Sequence, residues 1–354
     1  MVKRLKTILL FPIRLGLGIC LGLWSLWFRE YYMPRAPLFW GHTDRFVIYQ
    51  THLGRHRYGI ILYDLEESNS EVIFESPHPV RLYGLRHPNE LDLYQAQGDR
   101  CLCTVIYLQQ RKEQAAVEHI LPGSLLLYDT PLPKTLGLVL HKTACSEDEC
   151  FTEFHMTTLH GSQVIGPRVP DRIDWRVRIS HNEDILAYSD ESNVILHYLL
   201  TGKEVEFPVA QSVVGNWANN DTLLAYSSRK RSLILIDGRT KEMRCIQVPQ
   251  EGRFQKGIIS PSGSKIAYLV TKNPQGYKGT SLFVYSIVED THTFITERAW
   301  ILDVEWSQQE HLLSLAGVKR EDMLGVVSGY TMRNSTVNDK EIIRLDGTHV
   351  VDLR

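Results

Sequence analysis

The chain has 354 residues, of which 43% are hydrophobic and 23% are charged, and its formal net charge is −2. This composition is typical of a folded protein and argues against a disordered chain, and a net charge so close to zero points to no particular partner. The length allows two ordinary domains, but all-β repeat folds run longer as one unit, so we expect one domain.

The first 37 residues differ from the rest of the chain. An apolar stretch over residues 8–28 follows a basic N-terminus, residues 1–7, and is long enough to cross a bilayer as a helix. The denser positive charge on its N-terminal side predicts that this end stays in the cytoplasm. We therefore predict one N-terminal transmembrane helix, a single-pass signal anchor in the cytoplasmic (inner) membrane. A tether over residues 29–37 would hold the remainder on the extracytoplasmic side, in the periplasm.

The alternative to an anchor is a signal peptide that is removed. Cleavage requires small residues around the cleavage site, whereas bulky side chains such as Trp24, Trp27 and Phe28 stand at that end of the apolar stretch. An uncleaved anchor is therefore the expectation.

A nine-residue frame recurs from residue 40 onward. A large apolar residue ends one short apolar run, a polar or small turn follows, and a second run reaches an aromatic residue or Leu nine positions later. The frame occurs at Trp40 to Tyr49, Ile179 to Tyr188, Trp217 to Tyr226, Ile259 to Tyr268 and Trp306 to Leu315. A strand-turn-strand unit repeated at intervals of roughly 40 to 47 residues predicts a radial array of small sheets, a β-propeller over residues 38–354.

A third and a fourth strand are predicted after the frame. The third strands are expected at residues 60–64, 124–129, 193–198, 232–237 and 281–285, and the fourth at residues 71–74, 243–248 and 293–296. Their β-branched and aromatic content suits strands that pack against neighbouring sheets. Four strands per unit make one propeller blade.

Two segments resemble a known repeat family. Residues 257–268, GIISPSGSKIAY, resemble the strand-turn-strand core of TolB-like and WD-like β-propeller repeats, and residues 341–353 resemble an outer hairpin of that family closed through Asp-Gly. The resemblance implies an all-β propeller of four-stranded blades. It is lost between residues 79 and 178, where there is room for two blades beside the five clear ones. Seven blades are therefore expected, with six as the alternative, and residues 156–173 are expected to form a long loop.

Two cysteines could be linked. Cys145 and Cys150 flank the acidic loop SEDE, and an oxidising compartment could close this loop with a disulfide. Cys101 and Cys103 fall on one face of a predicted strand and are expected to be small buried residues. No CxxC pair or histidine at ligand spacing accompanies these cysteines, so we predict no metal site from them.

Charged residues separate by loop type. In a propeller the loops from second to third strand lie on one face, and the other turns lie on the opposite face. The first group is basic and supplies the candidate partner-binding residues: Arg55, Arg57, Arg111, Lys112, Arg229, Lys230, Arg231, Lys272, Lys278, Lys319 and Arg320. The second group is acidic: Glu66, Glu67, Glu147, Asp148, Glu149, Glu183, Asp184, Asp221, Glu289, Asp290 and Glu310. We predict a basic recognition face for an acidic protein surface, an anionic glycan or a lipid headgroup. The alternative is that these loops are charged only for solubility.

Local signatures of catalysis are missing from the sequence. It contains no G-x-S-x-G elbow, no H-E-x-x-H and no phosphate-binding loop, and no cofactor is predicted. Asp64, Asp129 and Asp237 follow third strands. They could face a central channel, but we expect them to cap the turn to the fourth strand.

Three functions remain open at this point. The first is a membrane-anchored extracytoplasmic propeller that acts as a protein-interaction or ligand-binding platform in the cell envelope, with a membrane-associated protein partner and no nucleic acid. The second is a propeller enzyme, a hydrolase or lyase acting on sugars or lactones through channel-facing carboxylates or histidines, with or without a bound Ca²⁺. The third is a structural spacer in a larger assembly.

Overall fold

The structure is a computed structural model. It describes residues 38–40, 44–54, 57–77, 80–87, 90–97, 100–107, 112–120, 130–131, 137–145, 150–158, 161–170, 174–249, 251–271, 279–298, 300–318 and 340–353. The chain divides into two units, residues 1–35 and 36–354, and all described residues belong to the second. None of the described residues forms a helix long and apolar enough to cross a membrane, and the predicted anchor over residues 8–28 lies outside them.

The described strands form seven antiparallel sheets of four strands, paired in chain order. Sheet 1 contains β1 (Leu38–Trp40), β2 (Phe46–Gly54), β3 (Arg57–Asp64) and β4 (Asn69–Ser76). Sheet 2 contains β5 (Val80–His87), β6 (Glu90–Gln97), β7 (Arg100–Tyr107) and β8 (Lys112–Ile120). Sheet 3 contains β9 (Thr130–Pro131), β10 (Gly137–Cys145), β11 (Cys150–Thr158) and β12 (Gly161–Pro170).

The second half of the chain continues the same pattern. Sheet 4 contains β13 (Asp174–Ile179), β14 (Ile185–Ser189), β15 (Val194–Tyr198) and β16 (Lys203–Phe207). Sheet 5 contains β17 (Val213–Trp217), β18 (Thr222–Ser227), β19 (Ser232–Asp237) and β20 (Met243–Gln247). Sheet 6 contains β21 (Arg253–Ile259), β22 (Lys265–Thr271), β23 (Thr280–Ser286) and β24 (Thr291–Arg298). Sheet 7 contains β25 (Trp300–Trp306), β26 (Leu312–Val318), β27 (Lys340–Arg344) and β28 (His349–Leu353).

The recurrent frame marks the first two strands of a sheet. Its opening residue is the last residue of the first strand in five sheets, at Trp40, Ile179, Trp217, Ile259 and Trp306. The residue nine positions later lies in the second strand and is buried in every case. The frame was therefore read correctly as strand, turn and strand.

The long loop expected over residues 156–173 was wrong. Strand β11 extends to Thr158, and Gly161–Pro170 forms β12, the outermost strand of sheet 3. Its glycines and prolines made this segment look like a loop in the sequence. Proline is nevertheless tolerated in an edge strand, because no partner strand requires the N–H group that it lacks. Gly166 has a φ of 72°, which further interrupts the strand pattern.

Apolar clusters join neighbouring sheets and form the core. Between sheets 5 and 6 the ring of Phe254 lies 5.3 Å from that of Tyr226 and 6.2 Å from that of Tyr268, measured between centroids. Between sheets 7 and 1, Trp40 packs in one buried cluster with Leu312 and Leu353. The last sheet of the chain therefore packs directly on the first, which closes the array at this junction.

Burial decreases from the second strand to the fourth. All five residues of β14 are buried, whereas β16 in the same sheet is largely exposed. A strand between two packed sheets is covered on both faces, which explains why the second strands read as continuous apolar runs rather than as alternating ones. The fourth strands form the outside of the molecule.

Buried carboxylates connect the turns that follow the first strands. Asp44 of sheet 1 accepts hydrogen bonds from the backbone N–H groups of Gln308 and Gln309 in sheet 7, at 2.7 and 3.1 Å. Asp221 of sheet 5 accepts one from the amide of Asn182 in sheet 4, at 2.8 Å. In each case the carboxylate belongs to the sheet that follows the donor's sheet in the ring.

Glu310 makes the equivalent contact between sheets 6 and 7. Its carboxylate accepts the backbone N–H of Ser262 and, at 3.0 Å, the hydroxyl of Ser264. Although burial raises the pKa of Glu310, these hydrogen bonds lower it below its ordinary value. Asp221 and Glu310 were expected on an exposed acidic face, but they are 1% and 9% exposed. Both have positive φ, so the turn directs their side chains into the junction between sheets rather than outward.

We predict that Asp44→Asn destabilises the protein by about 1–2 kcal/mol, because the amide keeps an acceptor oxygen for one of the two N–H groups and places a donor against the other. Asn also tolerates the φ of 55° at this position, so backbone strain does not add to the effect. Urea unfolding of the full-length protein in detergent measures the loss.

The matched control is Asp190→Asn, whose carboxylate accepts the N–H groups of Ser192 and Asn193 within its own loop. A smaller loss is expected for this variant, because no junction between sheets depends on it. Equal losses for the two variants would contradict the role of Asp44 in joining sheet 7 to sheet 1.

Candidate functional site

The first strands of successive sheets lie against one another at the centre of the array, where β13 contacts β17, β17 contacts β21 and β21 contacts β25. Three of them carry charged side chains that interact: Arg178 on β13, Lys256 on β21, and Asp303 and Glu305 on β25. We call these four residues the inner-strand cluster. Residues two apart in a strand share a face, so Asp303 and Glu305 lie on the same side of β25.

An ion pair links two of the sheets within the inner-strand cluster. The Lys256 ammonium donates a hydrogen bond to the Asp303 carboxylate. Their side chains are 32% and 38% exposed, although both lie on inner strands. Water therefore reaches both charged groups. Burial lowers the pKa of Lys256, but Asp303 and Glu305 outweigh it, so the pKa is raised above its ordinary value.

Glu305 is the group of the inner-strand cluster that titrates near neutral pH. Burial raises the pKa of Glu305 to about 7, against the pull of Lys256 and Arg178 and with the help of Asp303. Among the described residues its carboxyl group has neither a hydrogen-bond partner nor an ion-pair partner. Perturbed carboxyl groups of this kind occur at functional sites more often than elsewhere.

Hydrogen bonds between first strands hold the inner-strand cluster in place. Arg178 donates from Nε to the carbonyl of Gly215 on β17 at 3.0 Å. Asn216 exchanges two hydrogen bonds with the backbone of Ile259 on β21, at 3.0 and 3.1 Å, and Trp306 donates to the carbonyl of Ile258 at 3.1 Å. Neighbouring first strands are thereby joined by polar side chains that sequence reasoning did not select. A polar residue directly before the frame residue, as in Arg178, Asn216 and Glu305, was the available signal.

The predicted basic residues are described in part. Arg229 and Lys230 are exposed on the turn between β18 and β19, and Arg229 donates to the side chain of Gln211 at 2.9 Å. In the described part of the chain no carboxylate pairs with Arg229, Lys230 or Arg231. The guanidinium of Arg231 has two buried nitrogens, Nε and Nη2, without a hydrogen-bond partner. We call residues 229–231 the basic turn.

The remaining predicted cations differ from the basic turn. Arg57 opens β3 and pairs with Glu75, so its charge is compensated on the surface. Six candidates lie outside the described residues: Arg55, Arg111, Lys272, Lys278, Lys319 and Arg320. Among the described residues of the predicted face, the basic turn is thus the part whose positive charge has no carboxylate partner.

The assignment of Lys112 to the basic face was wrong. Lys112 begins β8, so it borders the connection from third to fourth strand of sheet 2 and not a connection from second to third strand, whereas Arg111 lies outside the described residues. Residues 147–149 of the acidic group lie outside the described residues. Without a repeat pattern over residues 79–178, the strands there could not be counted from the sequence.

Two of the aspartates that follow third strands cap turns, as expected. Asp64 accepts the N–H groups of Glu66 and Glu67 at 2.9 and 3.2 Å, and the hydrogen bonds from Arg45 lower the pKa of Asp64. Asp237 accepts the N–H groups of Arg239 and Thr240 at 2.7 and 2.8 Å. Asp129 lies outside the described residues.

Cys145 and Cys150 are paired in the backbone register of the β10–β11 hairpin. They are the last residue of β10 and the first of β11, and their Cα atoms are partners in the antiparallel register. The loop between them lies outside the described residues. The disulfide stays a prediction.

A second group of chemical interest lies on the last hairpin. Glu341, His349 and Asp352 bring a carboxylate oxygen, a ring nitrogen and a second carboxylate oxygen within 4.8 Å of one another. However, Glu341 already accepts two hydrogen bonds from Arg298, at 2.7 and 3.2 Å, and His349 and Asp352 pair with each other at 3.0 Å. These contacts account for all three side chains without a metal ion.

Comparisons with known proteins identify the architecture. Neither a protein-family model nor a curated protein matches the sequence. An oligogalacturonate lyase from Vibrio parahaemolyticus has a similar structure over 80% of this chain and 85% of its own, at 8% identity and a TM-score of 0.60. The chain folds as a β-propeller.

Two other solved structures are similar. A protein of unknown function from Desulfotomaculum acetoxidans aligns over 87% of the propeller chain and 95% of its own, at 9% identity and a TM-score of 0.55. TolB from Acinetobacter baumannii aligns over 74% of this chain at 11% identity and a TM-score of 0.47, and the propeller chain spans 65% of its length. The β-propeller fold expected from the TolB-like and WD-like repeats is confirmed by the alignment with the lyase.

We predict that Glu305 makes the stability of the propeller depend on pH. Since its pKa is about 7 when folded against an ordinary value of 4.5, the folded state binds more protons between these two values, and stability falls as the pH rises through this window. Glutamine does not titrate, so the stability of Glu305→Gln lacks this pH dependence. The free energy of unfolding of the variant, compared with that of the wild type, should therefore increase from pH 5 to pH 8. Urea unfolding at several pH values measures the difference, and a constant difference would exclude the raised pKa.

Proposed function

We propose that this protein is a membrane-anchored, extracytoplasmic propeller with seven blades that acts as an interaction platform in the cell envelope. Support for the blade count comes from the seven four-stranded sheets and from the packing of sheet 7 on sheet 1. Support for the anchor comes from the apolar stretch over residues 8–28 and its basic flank. The partner is a membrane-associated protein, or an anionic glycan or lipid headgroup, and not nucleic acid.

The observation that carries the proposal is the uncompensated charge of the basic turn. Three consecutive cations stand on one connection of a rigid scaffold, and two of them are exposed. An acidic surface would supply carboxylates to the exposed Arg229 and Lys230 and compensate their charge.

We expect the double variant Arg229→Glu, Lys230→Glu to weaken partner capture about tenfold, because each reversal replaces attraction by repulsion at the contact. Arg231 is left unchanged, since its partly buried side chain ties it to the fold. Capture from detergent extracts of native membranes, quantified by mass spectrometry at low and high salt, measures the effect.

The matched control is Lys203→Glu, Arg344→Glu, which makes the same change in net charge on exposed residues that border third-to-fourth-strand turns. The control should capture the partner as the wild type does. If both double variants, or neither, lose the partner, the basic turn is not the recognition surface.

The compartment follows from the proposed anchor. The tether over residues 29–37 is short, so the propeller would stay close to the bilayer and meet membrane-bound partners. An oxidising compartment would also allow the Cys145–Cys150 disulfide, and the register of the β10–β11 hairpin places their Cα atoms opposite each other.

We predict that the full-length protein stays in the membrane pellet after alkaline carbonate extraction and keeps its apolar N-terminal segment, as read by intact mass. Protease added to spheroplasts should degrade the propeller from outside, because the positive flank retains the N-terminus inside. A mature protein that begins beyond residue 28 would instead establish a cleaved signal peptide, and protection from added protease would place the propeller in the cytoplasm.

A further inference from the structure

A cleft lies between the outer strands of sheets 3 and 4. Its volume is about 740 Å³, which is within the range of small-molecule binding sites. Five of its described lining residues are apolar: Met156, Val164, Ile165, Leu199 and Leu200. Leu200 is 90% exposed and Val164 is 57% exposed, so part of this apolar surface is open to water. A ligand with an apolar body would cover it, which is favourable.

Three polar side chains of sheet 4 are hydrogen-bonded to one another beside the cleft. Tyr188 donates from its hydroxyl to Oε1 of Glu204 at 2.7 Å, and Nδ1 of His197 lies 3.3 Å from the same oxygen. Tyr188 is buried and packs on the ring of Phe154. Burial raises the pKa of Tyr188, and the hydrogen bond to Glu204 raises it further, so the hydroxyl stays protonated. Glu204 and His197, which line the cleft, are thereby held in defined positions.

The contact with Glu204 determines what the ring of His197 offers to a ligand. An ionised carboxylate only accepts hydrogen bonds, so Nδ1 carries the hydrogen, and Nε2 of the neutral ring is an acceptor. His197 is 7% exposed, and its Nε2 has no hydrogen-bond partner among the described residues. Enclosed polar atoms are normally hydrogen-bonded, because an unmet acceptor is unfavourable away from bulk water. A donor on a bound ligand would supply the missing hydrogen bond.

The charged residues of the cleft indicate the sign of the ligand. Oε2 of Glu204 has no partner in the described part of the molecule, and Glu183 is a second acidic residue of the lining. None of the described residues that line the cleft is a lysine or an arginine. An anion would be repelled by Glu204, whereas an ammonium group brings the opposite charge and three N–H donors.

We propose that this cleft binds a primary ammonium compound with an apolar body, whose N–H groups donate to Oε2 of Glu204 and to Nε2 of His197. The apolar body lies against Met156, Val164 and Leu199. Hydrogen bonds between an ammonium and a carboxylate are stronger than those between neutral groups, so Glu204 gives the site its preference for a cation. The cleft shares no residue with the basic turn, so this site and the proposed platform can be tested independently.

Fluorine NMR titrations of the full-length protein in a non-ionic detergent at pH 8 test the cleft. The probes are para-fluorobenzylamine, para-fluorobenzyl alcohol and para-fluorobenzoate, which have nearly the same size and differ in charge. Titrations of detergent alone correct for partition into micelles. We expect the amine to bind with a Kd on the order of 1 mM, the alcohol to bind about tenfold more weakly, and the benzoate not to bind. Equal binding of amine and benzoate, or no binding of the amine, overturns the proposal.

Two variants separate the roles of the residues. Glu204→Gln should weaken amine binding about tenfold and leave alcohol binding unchanged, because it removes the charge and keeps an acceptor oxygen. His197→Phe should weaken the binding of both probes, because it keeps a ring and removes Nε2. The matched control is Glu206→Gln, on the same face of β16 but not among the lining residues, which should bind as the wild type does. Should His197→Phe fail to fold, Glu204→Gln still decides, since unaltered amine binding in this variant would refute the proposed site.

Discussion

Carboxylates buried between turns of neighbouring sheets are the contacts on which this propeller depends. Asp44 accepts hydrogen bonds from two turn N–H groups of sheet 7, so this side chain joins the last sheet to the first. Asp221 and Glu310 act in the same way between sheets 4 and 5 and between sheets 6 and 7. Apolar packing between sheets is not directional, whereas these hydrogen bonds are, so they constrain the rotation between the two sheets that each of them joins.

The positions of the sheets in turn determine which side chains of the first strands come into contact. Arg178, Lys256 and Glu305 are remote in the sequence and meet because their strands occupy the same position in sheets 4, 6 and 7. The side chains of Asn216 and Trp306 donate hydrogen bonds to the backbone of the neighbouring first strand and so fix the position of one first strand along the next. A shift of one sheet by a single residue would exchange the inward and outward faces of its first strand. The inner-strand cluster therefore relies on the same junctions as the fold.

Charged residues on this propeller fall into two physical classes. Asp44, Asp221 and Glu310 are buried and accept hydrogen bonds from a neighbouring turn, and they belong to the architecture. The basic turn is different, because its charge is exposed and has no compensating carboxylate among the described residues. Loops on a rigid scaffold can carry binding residues without disturbing the core, whereas the buried acids cannot change without loosening a junction. This distinction separates candidate recognition residues from structural ones.

The sequence by itself determined the strand-turn-strand frames and the four-stranded units, because short apolar runs and turn residues are local properties. Trp40, Ile179, Trp217, Ile259 and Trp306 each end a first strand, as the frame predicted. Asp64 and Asp237 were predictable as caps for the same reason, since they bond to the backbone two and three residues further on. The strand β12 could not be read, because a proline-containing edge strand gives a weak pattern, and Lys112 could not be placed, because the repeat pattern is lost over residues 79–178. Only the tertiary structure decided that Asp221 and Glu310 face inward and that Lys256 meets Asp303 and Glu305. These contacts join residues 39 or more positions apart in different sheets, and they depend on how each sheet is rotated against its neighbour.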